Sequence, residues 1–145
     1  MRESDIFHTL FQQAPDAIVL ADTGGIIRRW NPSAERIFGH SPHEAIGRSL
    51  DIIIPERFRD AHWRGYRRAL TEGRTKYVGE SLPTRSVRKD GDTIYVELTF
   101  AIIHGENAEV LRALAHARDI SERWEREREQ RKRLEDLERT ARETG

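Results

Sequence analysis

The sequence predicts an α+β domain in which an antiparallel sheet is flanked by short helices, and three observations predict it. Ile94, Val96, Leu98 and Phe100 alternate strictly with Tyr95, Glu97 and Thr99, the period of a strand with one buried face. Thr23-Gly24-Gly25 and Asp90-Gly91 each sit between extended apolar runs, where glycine supplies positive φ cheaply and the chain turns back as a hairpin. Between these β segments, patterns of capping residue, proline and acid recur at the spacing of short helices.

Each element follows in order. Ile6, Leu10 and Phe11 recur at helical spacing, so a short amphipathic helix leads into the domain. "DAIVLADTGGIIRRW" then forms two strands. Asn31 or Ser33 caps a helix carrying Pro32 and Glu35 that closes at Gly39, and Ser41-Pro42-His43-Glu44 repeats the pattern for a second. The longest internal helix is expected to start at Pro55 and end near Gly73. "KYVGESLPTRSVRKDGDTIYVELTFAII" is all strand around its Asp90-Gly91 turn, "HGEN" at 104–107 is another turn, and "AEVLRALAHARDI" is the last strand. From Ile120 the composition becomes Glu and Arg with no proline, which marks a long charged helix. Ile120, Trp124, Leu134, Leu137 and Ala141 fall near heptad positions, interrupted by Glu127 and Arg131.

Composition bounds what this architecture does. A chain of 145 residues suits one core. Its 25 basic and 25 acidic residues cancel, so no global field draws it to nucleic acid or an anionic membrane. The absence of cysteine excludes disulfides, thiolate metal sites and cysteinyl photochemistry, and fits a reducing compartment. No segment has the apolar length of a signal peptide or a membrane span, so a cytoplasmic chain is expected. His40, His43 and Glu44 cluster without a second ligand pair, which is the pattern of a solvated helix start. No phosphate loop, Ser/His/Asp set or paired-carboxylate motif is present, so no catalytic site is expected.

The order of elements resembles that of PAS domains, and so do particular residues. The Asp and Gly turn, Asn31, Ala34-Glu35, Phe38-Gly39, Glu44 and Ile46-Gly47 occur in the family's order within "AIVLADTGGIIRRWNPSAERIFGHSPHEAIGRSL". "RKDGDTIYVELT" resembles the second-half signature, and "ARDISER" is similar to the Asp-Ile-Thr junction with the output helix, with Ser121 replacing Thr. The resemblance implies a PAS fold with a five-stranded antiparallel sheet, divided as an N-terminal cap helix at 1–13, the PAS domain at 14–119 and a signalling helix or coiled coil at 120–145. It implies a homodimer through the terminal helices and an effector of kinase or cyclase type. Asp119 is placed to cap the helix at Ile120, which ties sheet to output.

PAS domains enclose a cavity between sheet and helices, which directs attention to "PERFRDAH". Phe58, His62, Tyr66 and Ala69 have the spacing of one helix face. This stretch is similar to that carrying the proximal histidine of haem-binding PAS sensors of the FixL and DOS types, so the resemblance implies His62 as the iron ligand of haem b, with Gly65 letting a flat macrocycle approach. The implied lining adds Ile94, Val96, Leu98, Phe100 and alternate residues around Leu114 and His116. Leu82 stands where those sensors have a distal arginine and Glu80 where the DOS type has an axial methionine, leaving Tyr77 or His116 as substitutes. Three alternatives remain open: a pocket that is empty, water-filled or holds another small ligand; a redox flavin, for which Trp30 is a candidate wall although core packing or a dimer contact suits that residue better; and a cofactor-free dimerisation or interaction module.

Overall fold

The computed structural model describes residues 1–75 and 82–144. Five strands, β1 (Ala17–Ala21), β2 (Ile27–Trp30), β3 (Leu82–Val87), β4 (Thr93–His104) and β5 (Val110–Asp119), form one antiparallel sheet in the order β2-β1-β5-β4-β3. Around it lie α1 (Glu3–Gln13), α2 (Pro32–Phe38), α3 (Pro42–Ala45), α4 (Arg59–Glu72) and α5 (Ser121–Thr144), with 3-10 turns at Leu50–Ile53 and Glu56–Phe58.

Local chemistry explains most of these boundaries. The β1–β2 hairpin closes on Asp22, whose Oδ1 accepts from the backbone N–H groups of Gly24 (2.9 Å) and Ile26 (3.0 Å). Gly25 there has φ +80°, and a Cβ at that position would lie 2.2 Å from the Trp63 ring. Asn31 caps α2 by accepting from the Ala34 N–H at 3.0 Å. Ser41 and Glu44 form the reciprocal capping box that their spacing predicts, with bonds of 3.0 and 3.1 Å.

Strand register decides which residues face inward. Leu98 pairs with Ala117 and Phe100 with Ala115, while Ala117 and Ala115 pair with Ala17 and Val19 of β1. Even-numbered residues of β4 therefore share a face with odd-numbered residues of β5 and β1. The core sits between that face and the helices: Val19, Ile27, Trp30, Phe38 and Val96 are all at most 2% exposed. Burying a side chain of this size contributes roughly 1.5–3 kcal/mol.

Two expectations change. The helix expected from Pro55 begins at Arg59, because Glu56–Phe58 is wound as a 3-10 turn. The heptad set of the last helix is divided: Ile120 is buried at 4% exposure and Trp124 stacks on Tyr95 of the sheet, whereas Leu134 and Leu137 are exposed.

Candidate functional site

A cavity of about 350 Å³ lies between α4 and the strands β4 and β5, within the range of small-molecule sites. His62, Gly65, Tyr66 and Ala69 line it from α4, Thr75 from the chain beyond, and Phe100 and Ile102 from β4. Exposed Arg68, Glu72 and Arg74 line it as well. Gly65 is open to it: a Cβ there would meet nothing within 4 Å.

The His62 imidazole is held by rings. Its centroid lies 4.7 Å from that of Trp63, edge to face, and 5.7 Å from Tyr66. Trp63 in turn donates to Asp51 Oδ1 at 2.7 Å, and the Tyr66 hydroxyl donates to the Asp22 carbonyl at 2.5 Å. These bonds tie α4 to the hairpin and to the first 3-10 turn. Burial pushes the His62 pKa down, with the Asp51 charge opposing, so the imidazole is neutral at pH 7. Burial, helped by Asp22, pushes the Tyr66 hydroxyl up to about 12, so it stays a donor. Among the described residues, His62 Nδ1 and Thr75 Oγ1 are buried with no hydrogen-bond partner, and both belong to the lining of this cavity. A buried polar atom without a partner costs about 1–3 kcal/mol.

Of the residues singled out from sequence, His62, Gly65, Tyr66, Ala69, Phe100 and Leu114 come together here, whereas Ile94 is buried in the core. Val96 and Leu98 lie on the same sheet face but pack into the core. Phe58 is elsewhere: it is 39% exposed beside the Arg57 guanidinium, because the 3-10 turn breaks its helical phase with His62. His116 is also elsewhere. Its register with Thr99 and Ile18 places it on the outer face, with Nε2 3.5 Å from Asp16 Oδ2. Trp30 is core rather than a cavity wall, packed 5.5 Å from Phe38 with its indole N–H on the His40 carbonyl. Tyr77, Glu80 and the Leu82 side chain lie outside the described residues. Trp63 and Thr75 were not singled out; Trp63 had a signal, since it stands three residues before Tyr66 on the same helix.

The donor set fits haem: a neutral imidazole, an open glycine, apolar walls and arginines at the edge. Among the described residues no group of three or more His, Asp or Glu is placed to hold a free metal ion.

The second part of the arrangement is the β5–α5 junction. Asp119 Oδ1 accepts from the Ser121 N–H at 2.9 Å, the Ile120 N–H donates to the Tyr95 carbonyl at 2.9 Å, and the Tyr95 N–H donates to Ser121 Oγ at 3.0 Å. The Tyr95 and Trp124 rings stack at 4.6 Å and 15°. Helix α5 is thus fastened to β4, whose residues Phe100 and Ile102 line the cavity.

A five-stranded antiparallel sheet with short helices beside it, a cavity between α4 and the sheet, and a long helix leaving its central strand defines a small α+β domain. The family model described as PAS fold matches residues 11–125, and the chain belongs to that family. Sensor protein FixL of Bradyrhizobium diazoefficiens is 35% identical over 94 residues, 65% of this chain and 18% of that protein. Oxygen sensor protein DosP of Escherichia coli is 28% identical over 116 residues, 80% of this chain and 14% of that protein. The crystal structure of a PAS domain from Colwellia psychrerythraea superposes with a TM-score of 0.73 at 26% identity, covering 83% of this chain and 99% of that one. The chain spans less than a fifth of the two sensor proteins it matches. Among its described residues no helix is long and apolar enough to cross a membrane.

Proposed function

We propose that this chain is the sensory module of a cytoplasmic signalling protein, that it binds haem b in the α4 cavity through His62, and that it relays the state of the cavity through the Asp119 junction to an effector of kinase or cyclase type. The observation that carries this reading is the His62 imidazole, neutral, lining the α4 cavity and carrying a buried, unpartnered ring nitrogen. The similarity to two sensor proteins, FixL and DosP, supports it.

His62 would hold the iron, Gly65 would let the ring lie close to α4, and Arg68 and Arg74 would meet carboxylates at the edge. Haem, when bound, supplies an iron that takes a diatomic gas or changes oxidation state. Phe100 and Ile102 would shield the bound group from water, and as members of β4 they would carry a change in the cavity to that strand. The exposed Ile6, Phe7 and Leu10 on α1, with Leu134 and Leu137 on α5, support pairing with a second copy.

The test is an absorption spectrum of the protein expressed with haem precursor, beside His62→Ala. A Soret band in the parent that is lost in the variant is expected. No band in either overturns the haem reading and leaves the cofactor-free interaction module, and a flavin spectrum in its place overturns the choice of cofactor.

A further inference from the structure

A second concavity lies at the far edge of the sheet. It is an open groove of about 510 Å³ lined by Pro55, Glu56, Arg57, Arg85, Thr93 and Tyr95, none of which lines the His62 cavity. Two guanidiniums face the same ring: Arg57 Cζ is 4.7 Å and Arg85 Cζ 5.9 Å from the Phe58 centroid. Arg85 also lies 5.6 Å from the Tyr95 centroid. Among the described residues neither arginine has a carboxylate partner, although Arg85 is half-buried. Aromatic faces hold both guanidiniums in place and leave their N–H edges unpaired, the geometry that receives an oxyanion. The Thr93 hydroxyl adds a donor, and among the described residues Glu56 is the one carboxylate in the lining.

What makes the groove more than a basic patch is the residue beneath Arg85. Tyr95 receives the Ile120 N–H, donates to Ser121 Oγ and stacks on Trp124, so it carries the attachment of α5. Arg131 of α5 lies over the Trp124 ring at 5.7 Å, which continues the series from groove to helix.

We infer that this groove is a separate effector site for a small ligand bearing a phosphate or carboxylate group, held by Arg57, Arg85 and Thr93. An anion there draws the Arg85 guanidinium from its place over Tyr95 and changes the Tyr95–Trp124 stack, so that a soluble anion adjusts the helix that, on the function proposed above, the cavity also adjusts. Glu56 opposes the ligand and sets its affinity.

The experiment is a titration of the 145-residue chain with inorganic phosphate and, separately, with citrate, at constant pH and constant ionic strength. Tryptophan emission is the readout, and Trp124→Phe identifies its source. A saturable change lost with Trp124→Phe is expected for one or both anions, and which of them saturates names the group recognised. Arg57→Gln with Arg85→Gln should weaken binding roughly tenfold or more, the equivalent of at least one charge-assisted hydrogen bond. Glu56→Gln should tighten it, which guards against a loss caused by misfolding. A response that sodium chloride reproduces at equal ionic strength, or equal affinity in the double arginine variant, overturns the inference.

Discussion

Asn31→Ala is the substitution that most severely tests how this fold is held. The side chain is fully buried. Its Oδ1 accepts from Ile18 N at 2.9 Å and Ala34 N at 3.0 Å, and its Nδ2 donates to the Phe11 and Asp16 carbonyls at 3.1 Å each. One amide therefore joins the last turn of α1, the start of β1 and the N-terminus of α2. Alanine removes a helix cap, about 1 kcal/mol. It also orphans one further N–H and two carbonyls, each bond contributing about 1 kcal/mol net. The loss should come to about 4 kcal/mol, a large part of a typical domain's 5–15 kcal/mol. Urea unfolding followed by circular dichroism measures it as a lower midpoint with an unchanged slope. Asn31→Asp refines the test, because it keeps the acceptor bonds while turning the donor end into a carboxylate against two carbonyls; it should be less stable at pH 7 than at pH 5. A loss below about 1 kcal/mol for Asn31→Ala would refute the reasoning, since the four bonds of a fully buried amide cannot vanish at so small a cost.

Three further outcomes are expected. Gly25→Ala forces a side chain into a positive-φ position and against Trp63, which is anchored on Asp51; a loss of about 3 kcal/mol follows from the left-handed penalty and overpacking, read as a lower Tm. Because burial holds the His62 pKa below its ordinary 6.5, the unfolded chain binds this proton more readily than the folded one. The stability linked to His62 is thus fully present above about pH 6.5 and is lost as pH falls towards the folded pKa. His62→Leu should flatten that decline between pH 7.5 and 5, and an equal decline in both proteins would contradict the assignment. Leu134→Glu with Leu137→Glu leaves the sheet and its junction untouched and should weaken self-association in sedimentation; unchanged sedimentation would remove α5 from the proposed dimer.

The fold was legible because its signals are local. Alternation in β4, the capping box at Ser41 and Glu44, and the glycine turns each act over a few residues, and each agrees with the whole. The site was legible in part. His62 and Tyr66 share a face because both lie inside α4, but Phe58 stands one residue before it in a 3-10 turn, where helical spacing no longer holds. His116 shows a different limit. The parity of β5 depends on its pairing with β4 across a hairpin with a register shift at Ile103/His104, a non-local fact that alternation within one strand does not contain. Trp124 was read as part of a seam between chains, whereas its partner, Tyr95, lies on β4.

The most direct test of a sensor whose cavity is read at the junction is amide hydrogen exchange with and without haem. Loading the cavity should change protection of the Ile120 and Ser121 N–H groups by at least about fivefold, the lower end of ordinary allosteric coupling, and His62→Ala should show no such change. Haem bound through His62 with unaltered exchange at both amides would contradict it.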